Sequence, residues 1–162
     1  IVYLAIPMRF FSALVALTAL EFHSAAAAEF RFSAAGLSAR VGLEAYPGLL
    51  ARELLQASQP QLPGAGRRSY KNDAKAQQTP ERLIARKDML TALENGQTRL
   101  GLRLKLTHAQ RDRLIDDATG DSLDAVLCQM QAAWARSQHE AGHPRFGLPA
   151  LVDPLEGWIV TA

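Results

Sequence analysis

A single cysteine, Cys128, in 162 residues excludes an internal disulfide framework and any zinc ribbon built on cysteines. A large excess of one charge is also missing. The 18 Lys and Arg face 16 Asp and Glu for a net charge of +2, which excludes a basic coat for nucleic acid but leaves room for a local basic patch. No Gly-rich phosphate loop and no G-x-S-x-G elbow occur, so neither a P-loop enzyme nor an α/β-hydrolase is indicated. Internal repeats and heptads are absent. The apolar run Phe10 to Leu20 falls short of the about 20 residues of a membrane helix, and no membrane span is expected. What the chain does have is apolar content: 48% hydrophobic residues supply a core and exclude wholesale disorder. The length suits one domain, or one domain with a tail.

Met8-Arg9, the apolar run after it and small Ala25 to Ala28 follow the order of a secretory signal peptide. Glu21 and His23 interrupt that order, and an Ala/Leu-rich helix is the other reading. A cytoplasmic location is expected, with secretion as the alternative if residues 8–28 act as a signal. Residues 1–39 are treated as an apolar or irregular N-terminal segment and residues 40–162 as the folded domain.

From position 41 the pattern sharpens. Val41, Leu43 and Ala45 alternate with polar or small neighbours, a short strand of period two. Pro47 then stands as a first-turn proline before Leu49, Leu50, Leu54 and Leu55 at helical spacing. This places Glu44 at the carboxyl end of a strand that runs into a helix. Residues 58–79 read as a loop with a basic cluster of Arg67, Arg68, Lys71 and Lys75 around Tyr70. Thr79-Pro80 opens a helix whose face carries Leu83, Lys87, Leu90 and Leu93, and Gly96 stops it. Thr107 with Gln110 predicts a capping box, and Gly120 breaks that helix. Leu123, Val126, Leu127, Met130 and Trp134 mark a last amphipathic helix. Trp158-Ile159-Val160 is a short apolar close, either a strand or a core-packing segment.

Four groups carry candidate chemistry. Asp116, Asp117, Asp121 and Asp124 crowd one helix junction, and Glu44 ends a strand. Converging carboxylates bind Mg²⁺ or Mn²⁺, hard cations that prefer oxygen. The competing explanation is helix-dipole and cap stabilisation at a helix start. Asp124 answers to it least, because it sits inside the helix beside the apolar stripe. The basic loop, through Arg68, Tyr70 and Lys71, suits phosphate contacts with an aromatic ring for stacking; a solvated loop is the alternative. His139-Glu140-Ala141-Gly142-His143 fits H-E-x-x-H, the zinc hydrolase pattern, which needs both histidines on one continuous helix. Gly142 and Pro144 argue that the helix ends there instead. Cys128 follows an apolar face and reads as a packed thiol.

Glu44-Ala45-Tyr46-Pro47-Gly48, Ser69-Tyr70-Lys71, Asp121 to Cys128 and Leu155-Glu156-Gly157-Trp158-Ile159 together resemble the C-terminal portion of a bacterial family of predicted RNase H-like nucleases, domain of unknown function 429. The resemblance spans about residues 40–162 and rests on the order and spacing of four short motifs. It implies an α/β fold, a ribonuclease-H-like mixed sheet flanked by helices. It implies Glu44 and Asp124 as metal-holding carboxylates with Asp121 beside them, Mg²⁺ or Mn²⁺ as cofactor, and nucleic acid as partner. In that superfamily the first strand supplies a further aspartate, yet residues 1–39 contain none, only Glu21 and Glu29. The expectation is a domain lacking its first strands, with an incomplete site and weak or no nuclease activity. A fragment, a frame-shifted product and a degenerate copy all fit. A non-catalytic binding or structural module on the same fold and a secreted zinc hydrolase using His139 and His143 are the rival readings.

Overall fold

A computed structural model describes residues 2–7, 40–58, 68–74, 77–152 and 158–161. The signal-like residues 8–28, Arg67, Lys75 and Glu156 lie outside the described residues. The elements are β1 (Val2–Pro7), β2 (Arg40–Ala45), α1 (Pro47–Ser58), α2 (Pro80–Asn95), α3 (His108–Asp116) and α4 (Asp121–Glu140). The described chain is helix-rich. Its sheet has two strands, β1 and β2, which pair in parallel with Ile6 opposite Glu44. The larger mixed sheet implied by the resemblance is not among the described residues. No described helix is long and apolar enough to cross a membrane.

Within the apolar N-terminal segment, Val2–Pro7 forms a strand that the sequence pattern does not announce. Val2-Tyr3-Leu4-Ala5-Ile6 has β-branched and aromatic residues but no alternation. A parallel strand reads as such a continuous apolar run, so a search for period two passes over it.

The chain divides into two compact units, one made from Ile1–Tyr46 with Cys128–Ala162 and the other from Pro47–Leu127. In the first unit, Leu43 and Ala45 are buried, as the alternation in β2 requires. Leu43 packs with Ala135 and Val160, and Trp134, Phe146 and Leu148 pack against them. Ala45 packs with Cys128 and Ala132, which confirms the cysteine as a buried thiol. The described C-terminal residues 158–161 form no strand. The Val160 amide donates to the Glu44 carbonyl at 2.8 Å, and the Gln131 amide nitrogen donates to the Val160 carbonyl and the Thr161 hydroxyl.

In the second unit α1 packs on α2, and α2 on α3. Leu50 and Leu54 of α1, Met89, Leu90 and Leu93 of α2, and Leu114 and Ile115 of α3 are buried. Each such side chain contributes about 1.5–3 kcal/mol of transfer free energy. Local signals set the helix ends. Pro80 occupies the first turn of α2 after Thr79, whose side chain makes no capping bond. Gly96, at φ +71°, closes α2 with its amide on Leu93 and the Gln97 amide on Ala92, the paired bonds of a Schellman end. The Thr107–Gln110 capping box opens α3 with both reciprocal bonds present. One face differs from expectation: Lys87 is exposed and Arg86 is buried in its place.

Candidate functional site

The segment 68–74 carries the site and is held from several directions. The buried Arg86 donates from Nη1 to the Tyr70 carbonyl at 2.7 Å and from Nε to the Ile115 carbonyl at 2.6 Å. The Asn72 amide donates to the Ala118 carbonyl at 3.3 Å. The Gln78 side-chain amide reaches both the Asn72 and Ala118 carbonyls, at 2.7 and 2.9 Å. On the facing side Gly120 adopts φ +74°, and a Cβ there would stand 2.7 Å from Lys71 Cβ and 3.2 Å from the Tyr70 ring. Glycine at 120 therefore does more than stop α3: it admits the Lys71 stem against the backbone.

Within this clamp the Tyr70 hydroxyl donates to Asp124 Oδ1. Lys71 Nζ donates to Asp124 Oδ2 at 2.5 Å as an ion pair. Asp124 is only 4% exposed and lies in the first turn of α4, where the helix dipole also favours an anion. Both carboxylate oxygens thus accept strong bonds, one from a neutral donor and one from a cation.

The neighbouring acids have other duties. Asp117 accepts the Ser122 amide at 2.8 Å and the Thr119 hydroxyl at 2.7 Å, so it caps the start of α4. Burial by itself raises the Asp117 pKa, but the hydrogen bonds from Ser122, Thr119 and Gly120 outweigh it and hold the carboxyl below the ordinary aspartate value. Asp121 is half-buried, with Oδ2 3.2 Å from the Thr119 hydroxyl. Asp116 is exposed. Burial pulls the Arg86 pKa down, opposed by the charges of Asp117 and Asp116.

Of the residues singled out in the sequence, the structure brings Tyr70, Lys71 and Asp124 together. Glu44 belongs to the other compact unit, half-buried at the end of β2. Arg68 pairs with Asp88 at 3.1 Å. The Tyr70 ring is 8% exposed, so it is no open platform for base stacking. Among the described residues no three His, Cys, Asp or Glu side chains gather to hold a metal. The residue in register with Glu44 is Ile6, which has no ligating atom. This donor set fits a charge-paired carboxylate better than an open metal site.

The zinc pattern loses its context. Helix α4 stops at Glu140, and Gly142 turns left-handed at φ +94°. The Gly142 and His143 amides bond back to His139 and Gln138, a second Schellman end. His143 is exposed beyond the helix, while the His139 ring stacks on Phe146 at 4.6 Å. The two histidines are not one helical turn apart, so the zinc hydrolase reading is withdrawn.

Arg86, Asp88, Gln78 and the packing role of Gly120 went unnoticed in the sequence. Only Arg86 left a signal there. It lies three residues after Leu83 and four before Leu90, on the apolar stripe itself.

Comparison with protein-family models, with curated proteins and with solved structures returns no match.

Proposed function

We propose that this chain is a nuclease-like domain related to the RNase H-like family of domain of unknown function 429, with an incomplete carboxylate set and weak or no cleavage of phosphodiesters. One observation carries the reading. Ser69-Tyr70-Lys71 and Asp121 to Cys128, two of the motifs behind the resemblance, meet at a single carboxylate although Lys71 and Asp124 are 53 positions apart. Val160, the residue after the fourth motif, bonds by its amide to the Glu44 carbonyl of the first. Motifs that share a family's order and also pair in space support common ancestry more than either property alone.

Mg²⁺- or Mn²⁺-dependent hydrolysis needs two or three converging carboxylates. The resemblance assigns that role to Glu44, Asp124 and Asp121, of which Glu44 lies in one compact unit and the two aspartates in the other, and β1 adds no carboxylate. In this reading Arg68, which pairs with Asp88, would give up that bond to contact a nucleic-acid phosphate. A non-catalytic module on the same fold is the second reading. The Lys71–Asp124 ion pair favours it, because it satisfies the carboxylate within the protein.

The test is incubation of the purified chain with single- and double-stranded RNA and DNA in MgCl₂ or MnCl₂, beside Asp124→Asn and Glu44→Gln. The expected cleavage does not exceed that of the variants. Robust divalent-dependent cleavage lost in both variants overturns the inactive assignment. Fluorescence anisotropy at low salt separates the remaining cases. Salt-dependent binding weakened by Arg68→Ala supports a nucleic-acid module, and no binding removes nucleic acid as the partner.

A further inference from the structure

We infer that the Lys71 ammonium is the resident counter-cation of Asp124: it fills the place on that carboxylate that a divalent ion would take, and loss of its charge turns Asp124 into a divalent-cation ligand. The inference concerns the electrostatics of one buried carboxylate, and it stands whether or not the chain descends from nucleases.

Asp124 is 4% exposed, and an anion so placed is costly unless charge and hydrogen bonds compensate it. The Tyr70 hydroxyl supplies a hydrogen bond to Oδ1 but no charge. The buried Arg86 is committed to the Ile115 and Tyr70 carbonyls, and its field acts on Asp117 and Asp116. Asp121 is a like charge one helical turn earlier, which raises the demand for a cation. Lys71 meets that demand at 2.5 Å from Oδ2.

The pairing is built into the backbone rather than left to a surface rotamer. Arg86 fixes the Tyr70 carbonyl, Gln78 and Ala118 hold Asn72, and Gly120 seats the Lys71 stem. A lysine restrained in this way forfeits little further freedom on pairing. Arg136–Glu140, with side chains 56% and 58% exposed, shows the contrast of an ordinary surface pair. The Lys71 side chain is 29% exposed, so solvent reaches the ammonium end of the pair. With that charge removed, a hydrated Mg²⁺ or Mn²⁺ finds a carboxylate oxygen and, beside it, a tyrosine hydroxyl, both hard donors.

The experiment is Mn²⁺ uptake by the full-length chain, read from loss of the free-ion EPR signal at millimolar MnCl₂. Wild type takes up no Mn²⁺ that depends on Asp124, Lys71→Met takes it up, and Lys71→Met/Asp124→Asn does not. Lys71→Met also melts about 5–10 °C lower than wild type, and MnCl₂ restores part of the loss while KCl of matched ionic strength does not. Uptake by wild type that Asp124→Asn abolishes overturns the inference. So does a Lys71→Met chain that binds no more Mn²⁺ than the double variant. If Lys71→Met does not fold, the wild-type and Asp124→Asn titrations decide alone: equal uptake supports the inference and Asp124-dependent uptake refutes it. The readout is metal binding, so the result is independent of whether the chain cleaves nucleic acid.

Discussion

Replacing Arg86 with methionine tests the clamp that positions the site. Arg86 is 3% exposed and donates to the carbonyls of Ile115 and Tyr70 at 2.6 and 2.7 Å. Hydrogen bonds from a charged donor contribute about 1.5–3 kcal/mol each, and a buried carbonyl left without a donor costs about 1–3 kcal/mol. Against this stands the desolvation of the guanidinium, visible as its lowered pKa. Methionine escapes that penalty and fills much of the same volume. The net expectation is a loss of about 2–4 kcal/mol, on the order of 10 °C in melting temperature for a chain of this size. Urea unfolding followed by tryptophan fluorescence and far-UV circular dichroism reads it as a lower midpoint at unchanged slope. Arg86→Lys recovers only part of the loss, because a point charge cannot span two carbonyls as the guanidinium fork does. Amide exchange at Tyr70 to Asn72 accelerates along with the destabilisation. A change below about 0.5 kcal/mol in Arg86→Met, within the range of ordinary surface substitutions, refutes the assignment of Arg86 as the anchor of this segment.

Two further outcomes follow from the same geometry. Gly120→Ala combines a left-handed backbone with a contact at 2.7 Å from Lys71 Cβ, whereas Gly101 has φ +65° with nothing within 4 Å. Gly101→Ala should therefore lose only the backbone cost of about 1–2 kcal/mol, and Gly120→Ala about 1–3 kcal/mol more. Equal losses by urea unfolding would remove the close approach from the account. Asp117 has a folded pKa below its unfolded value, so its contribution to stability is present above the ordinary aspartate pKa of about 3.9 and fades as pH falls through the lower folded value. Asp117→Asn should flatten the acid limb of the stability curve below about pH 4, and an unaltered limb contradicts the capping role.

Most of the helical framework was legible because it is written in local chemistry. Pro47, Pro80, Gly96 and the Thr107–Gln110 box each act on the backbone within a few residues, so spacing alone reveals them. The run at Val2–Pro7 was missed because its defining property, a parallel partner at Arg40–Ala45, lies more than thirty residues away in the chain. Arg86 escaped notice because a guanidinium is ordinarily exposed, and two backbone carbonyls that no pattern announces make its burial tolerable. The site was half legible. Asp124 stood out as an acid beside an apolar stripe, and Tyr70 and Lys71 as a basic, aromatic loop. That their donors point at the Asp124 oxygens, and not outward to a phosphate, is a matter of tertiary placement. The same holds for Gly120, which the sequence shows only as a helix breaker.

The most direct measurement of the central claim, that Tyr70-Lys71 and Asp124 form one electrostatic unit, is a double-mutant cycle of Lys71→Met and Asp124→Asn by urea unfolding. Breaking a buried pair from one side leaves an uncompensated charge, while removing both ends does not. The account predicts a double variant more stable than the sum of the single losses by about 2–3 kcal/mol. Additive losses, within about 0.3–0.5 kcal/mol, would show that the two side chains act independently and would contradict the account.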